Sequence, residues 1–209
     1  MESASLGLYV LASLALIATP GQDMIYVVTR ALAQGRFAGL CSAVGVCLGI
    51  LVHTALAALG AGAILHASES LFVLLKLAGA AYLVYMGLRM LLSRDAARID
   101  SAARTPLAPL ALVWQGVLSN ATNPKIVLFF FAFLPQFVDP ASAHATRDLA
   151  FLGLLYAALA LPVKSAVGLA AGTLSEAILR RPGALAWMNR VCGALLVGLG
   201  LRLATFERL

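Results

Sequence analysis

Asp23, His53, Lys125 and Lys164 lie well inside long apolar runs of a 209-residue chain. Together they could hold a zwitterion: an acid for an ammonium group, lysines for a carboxylate, and an imidazole that titrates near neutrality. A charged side chain at the centre of a membrane helix costs about 2.5–3.5 kcal/mol on insertion scales. Lys125 and Lys164 each fall roughly fifteen residues into their runs. That depth favours polar surroundings in the protein interior over snorkelling to an interface. Lys76, near the start of its run, fits snorkelling better. Asp23 has two readings, a site group or an interface anchor paired with Arg30 two helical turns on. His53 reads as a proton carrier or as a hydrogen-bonded structural histidine.

Two segments interrupt the runs in a similar way: Thr19-Pro20-Gly21-Gln22-Asp23 and Asn120-Ala121-Thr122-Asn123-Pro124-Lys125. Proline inside a helix removes a hydrogen bond and clashes with the preceding turn. Each segment also reads as a new helix start. Thr19 and Asn123 are N-cap types, each followed by proline, which is favoured at the first helical position. Gln22, three residues after Thr19, completes a capping-box pattern. The expectation is two discontinuous helices, each with a half-helix N-terminus inside the membrane; ordinary proline kinks are the plainer alternative. A helix N-terminus offers unpaired N–H groups and positive potential to an anion such as a carboxylate. Within lipid, free backbone groups persist only where protein or a polar cavity satisfies them. Two such breaks therefore predict one shared polar cavity.

The elements that position these residues follow from composition. Hydrophobic residues make up 62% of the chain and charged residues 11%, against roughly a quarter charged in soluble domains. The apolar residues form six runs, at about 6–28, 39–65, 71–92, 110–137, 149–172 and 185–204. Each is long enough for a membrane helix, which needs about 20 residues. The runs lack the period-2 alternation of barrel strands. The fold class is therefore all-α: a polytopic membrane protein of about six transmembrane helices, one domain over residues 1–209, with helices 1 and 4 broken. Pro20 and Pro124 stand 104 residues apart, each in the first helix of a three-helix half. The halves, about 1–95 and 106–209, then insert in opposite senses as inverted repeats, and transporters place their site at such an interface.

Charge supports this layout. The net charge of +6 comes from arginines in short connections, which excludes a nucleic-acid-binding face. Arg30, Arg36, Arg89, Arg94, Arg98, Arg104, Arg180, Arg181 and Arg190 flank the connections from odd to even helices. The opposite side has Arg147, Arg202 and Arg208 among Glu69, Asp139, Asp148 and Glu207. The positive-inside rule then puts the arginine-rich connections in the cytoplasm and both termini outside. The N-terminus lacks the basic start of a signal peptide, so the first run is read as retained. Cys41, Cys47 and Cys192 lie inside runs without a C-x-x-C pair and read as small buried apolar groups. Trp114, Tyr82, Tyr85 and Trp187 fit interface belts. Gly45-x-x-x-Gly49 permits close helix contact.

At these residues the chain resembles the LysE/RhtB family of amino-acid exporters. Thr19-Pro20-Gly21-Gln22-Asp23-Met24 is similar to the family's Pro-Gly-Pro-Asp motif, with Gln22 where a second proline is usual. The segment from Lys76 to Gly87 resembles the family's third-helix signature. Asn123-Pro124-Lys125 with Phe133-Leu134-Pro135-Gln136-Phe137 resembles its fourth-helix segment. The resemblance covers nearly the whole chain. It implies export of amino acids or derivatives such as homoserine lactone from the bacterial cytoplasm, coupled to the proton-motive force.

The expected substrate site is Thr19, Pro20, Gly21, Gln22, Asp23, Asn123, Pro124, Lys125 and Lys164. Lys164 is either a second carboxylate ligand or an ion-pair partner of Asp23. Asp23 and His53 are the candidates for proton coupling. The expected partners are an amino-acid substrate, protons and the lipid bilayer; no nucleic acid, metal or cofactor is expected, and a homo-oligomer stays open. An intramembrane enzyme would need a catalytic cluster, and the spans hold no H-E-x-x-H, no G-x-S-x-G and no paired carboxylates. A scaffold subunit would not explain two capped breaks.

Overall fold

Long stretches rich in alanine and leucine favour helix, and in lipid a helix is the way for a single segment to satisfy its backbone internally. The computed structural model of the chain describes residues 3–19, 21–61, 69–92, 106–138, 142, 144–173 and 182–205, and among these every regular element is helical. The elements are α1 (Ser3–Ala18), α2 (Gln22–Gln34), α3 (Arg36–Leu56), α4 (Glu69–Leu92), α5 (Pro109–Ala121), α6 (Pro124–Leu128), α7 (Ala145–Thr173) and α8 (Pro182–Thr205). A π-helical turn, Ala57–Ala61, extends α3, and a π turn at Phe129–Phe133 followed by a 3-10 turn at Leu134–Phe137 extends α6.

The first and fourth apolar runs are broken, as their sequences predict. α1 and α2 meet at 49°, and α5 meets the segment Pro124–Phe137 at 53°. Taken as one span each, these pairs are long and apolar enough to cross a bilayer, as are Arg36–Gly60 and Ala145–Gly172. α4 and α8, 24 residues each, cover the third and sixth runs. At about 1.5 Å per residue they too can traverse a core of about 30 Å. The chain is a polytopic, all-helical membrane protein. Its outer faces carry Leu11, Phe37, Leu59, Leu92, Leu110, Trp114 and Trp187 in the open, an apolar surface of a kind that marks membrane contact. Pro20, Arg94, Arg98, Arg104, Asp139, Arg180, Arg181, Glu207 and Arg208 lie outside the described residues.

Packing joins the two halves throughout. α3 lies against α5 and α7, α4 pairs with α8, α2 contacts α3, α5 and α7, and α1 touches α7 and α8. The turn at Phe129–Phe133 touches α4. Small residues allow the closest of these approaches. A methyl on Gly45 would collide with the Val113 carbonyl, and one on Gly116 would come within 2.8 Å of the Ser42 carbonyl. Gly45-x-x-x-Gly49 thus serves packing within the chain, against α5. In the same way Gly87 and Gly193 face one another between α4 and α8, each 2.6–2.7 Å from the other's carbonyl if given a Cβ.

Candidate functional site

Chain polarity at the first break differs from the sequence expectation in one respect. Thr19 does not cap the following half-helix. Its N–H bonds back to the carbonyls of Ala15 and Leu16, and its hydroxyl donates to the Ala15 carbonyl at 2.7 Å. Thr19 therefore completes the last turn of α1, because the preceding carbonyl is already within reach of its side chain. α2 instead starts after Gly21, which serves as N-cap with extended backbone and no side-chain bond. The capping-box role of Gln22 falls with it: the Gln22 amide donates across to the Thr122 hydroxyl at 3.3 Å. Gly21 matters for space, since a Cβ there would stand 3.1 Å from Lys125 Nζ.

The second break follows its sequence closely. Asn123 is the N-cap, its Oδ1 accepting the Lys125 N–H at 3.1 Å, with Pro124 in the first turn. Thr122 turns its hydroxyl back to the Leu118 carbonyl at 2.8 Å. The Asn120 carbonyl accepts the Asn123 N–H at 2.9 Å.

The fold brings the breaks together around Asp23. Lys164 Nζ lies 2.8 Å from Asp23 Oδ2, Lys125 Nζ lies 3.8 Å from Oδ1, and the Asn123 amide donates to Oδ1 at 3.3 Å. Lys125 also donates to the Leu16 and Thr19 carbonyls at 3.2 and 3.1 Å, at the negative end of the α1 dipole. Asp23, Lys125, Lys164 and Asn123 are each 1–3% exposed. Lys164 is thus the ion-pair partner of Asp23, one of its two sequence readings. The alternative partner of Asp23, Arg30, instead donates to Gln115 at 3.0 Å. Removing one member of such a buried pair typically costs 3–5 kcal/mol, because the other is left uncompensated.

His53 stands one step away. Its Nε2 is 3.2 Å from the Asn120 carbonyl, and its ring meets Phe130 at 5.9 Å between centroids. This resembles Lys125: at each break a polar side chain from elsewhere meets carbonyls at the end of the first half-helix, two at α1 and one at α5. His53 Nδ1 and both side-chain polar atoms of Asn120 are buried without a hydrogen-bond partner among the described residues. Sequence reading did not single out Asn120, although it opens the second interrupted segment. It also passed over Tyr156, buried on α7 two turns before Lys164, which looks in sequence like any core aromatic.

The chain is similar to known membrane proteins over nearly its whole length. A family model described as LysE type translocator matches residues 14–206. An uncharacterised membrane protein of Pseudomonas aeruginosa is 34% identical, the match covering 94% of this chain and 93% of the relative. A homoserine/homoserine lactone efflux protein of Salmonella typhimurium is 28% identical, with 94% of each chain covered. A leucine efflux protein of the same species is 25% identical over 95% of this chain and 94% of its own. No solved structure matches the chain.

Proposed function

This chain belongs to the LysE type translocator family, and from that premise we propose that it is a secondary exporter of amino acids or close derivatives, driven by proton entry across the bacterial inner membrane. The efflux proteins among its relatives support the substrate class. One observation carries the mechanistic part: a carboxylate already sits between the two breaks, held by Lys164, Lys125 and the amide of Asn123. In this arrangement the anion is the protein's own Asp23. Replacing it with the carboxylate of a substrate requires no new kind of contact.

In the proposed cycle the substrate carboxylate takes the lysines and the half-helix N-termini, while Asp23 turns to the substrate's ammonium group. Thr19, Gly21, Gln22 and Pro124 shape the two breaks, and Pro20 completes the first by sequence. A helix terminus contributes about 0.3–1 kcal/mol to an anion, and up to about 2 when partly buried, so the lysines supply most of the attraction. Asp23 is the preferred proton carrier, since protonating it would release Lys164, Lys125 and Asn123 together, whereas His53 meets a single backbone carbonyl. The inverted-repeat reading fits the packing. Exchanging helices 1, 2 and 3 for 4, 5 and 6 turns each observed interhelical contact into another that is also observed.

The exporter reading is tested in proteoliposomes loaded with labelled amino acid, by imposing a pH gradient. The parent protein should release label faster when protons can enter in exchange. Asp23→Asn should show weaker exchange that no longer responds to the gradient. Gradient-driven release at the parental rate by Asp23→Asn would remove Asp23 from the coupling step.

A further inference from the structure

We propose that the site accepts amino acids with uncharged side chains and rejects basic ones, the substrate side chain lying against Phe129, Phe130 and Tyr156. This rests on the exporter reading above and adds a substrate class to it.

The charges set the first limit. Asp23 is the only acid within the six apolar runs, and two lysines converge on it at 2.8 and 3.8 Å. A bound amino acid uses Asp23 for its ammonium group and a lysine for its carboxylate. A second cation on the substrate then finds no carboxylate within the spans and faces two ammonium groups already present. An uncharged side chain meets no such repulsion.

The surroundings set the second limit. Phe129 lies one turn after Lys125 on the same helix face, and Tyr156 lies two turns before Lys164 on its face. Leaving the charged cluster along either element leads to the same aromatic group. The Phe129 and Tyr156 rings are 5.0 Å apart, and Phe130 meets Tyr156 edge-on at 5.5 Å. All three are buried. Phe129 and Phe130 fall in the π turn, a local distortion often found at functional sites. Ring faces also attract cations, by a factor of about thirty when desolvated. An unpaired charge within the membrane is penalised about a hundredfold on insertion scales, and repulsion from the Lys125 and Lys164 ammonium groups adds to that penalty, so rejection of basic side chains prevails.

The test is counterflow by the parent protein in proteoliposomes, with leucine, methionine, phenylalanine and alanine set against lysine and arginine. The expected result is exchange of the neutral substrates, with lysine and arginine slower than leucine by more than about tenfold. Lysine or arginine exchanging within tenfold of leucine overturns the selectivity proposal and leaves the exporter reading standing. Exchange of no amino acid removes the exporter reading itself. Phe129→Leu addresses the aromatic wall: phenylalanine exchange should fall several-fold relative to alanine exchange, measured in the same vesicles so that alanine reports folding. An unchanged ratio in a variant that still exchanges alanine places the side chain elsewhere.

Discussion

Asp23, Lys125 and Lys164 show what single residues disclose before a structure exists. A charge inside an apolar run is costly, so its partners must lie elsewhere in the fold, and all three charges proved to share one cluster. Which lysine makes the short contact was not legible, because it depends on the placement of α7 against the first break. His53 is the residue whose role most needs separating. Its contact with the Asn120 carbonyl makes it a cover for the end of α5. Under that role His53→Gln, which keeps a donor, should retain pH-driven efflux within about threefold. His53→Leu removes one of two partners of that carbonyl, which keeps the Asn123 N–H, and should lower stability by about 0.5–1.5 kcal/mol, read as a lower melting temperature in detergent. Loss of the pH response in both variants, with stability kept in His53→Gln, would make His53 the proton carrier instead.

At the scale of elements, the second break was read correctly in detail and the first only in outline. Asn123 has an amide that reaches forward to the Lys125 N–H, whereas Thr19 has a short hydroxyl that the preceding turn satisfies first. A capping pattern in sequence cannot choose between the two directions when a helix lies on both sides. The glycines illustrate the same limit. Their spacing shows that something approaches closely, and only the fold shows that α5 lies against α3. Gly116→Leu would push a side chain into the Ser42 carbonyl and the Gly45 backbone, 2.8 and 2.9 Å from a Cβ. Overpacking of this kind typically costs 1–3 kcal/mol, so its melting temperature should fall clearly. Gly198→Leu, with nothing within 4 Å of its Cβ, should leave the melting temperature nearly unchanged. Similar effects in both would mean that the α3–α5 contact is not the tight one.

For the whole molecule, an all-helical membrane protein with breaks in its first and fourth runs was visible in sequence from hydropathy and proline placement. Orientation rests on arginine placement alone. It predicts that a cysteine introduced at Ser101 in a cysteine-free background resists an impermeant thiol reagent in intact cells and reacts after permeabilisation. Labelling of intact cells would reverse the assignment. The central claim is that both halves form one seat for a substrate carboxylate, with Lys125 both covering the end of α1 and meeting that carboxylate. Lys125→Met removes the charge while keeping much of the length and apolar packing. Calorimetric binding to purified protein should then show free amino acids weakened far more than their carboxyl esters, which carry no anion to lose. Equal weakening of acid and ester would contradict the claim and leave Lys125 as a structural cover for the Leu16 and Thr19 carbonyls.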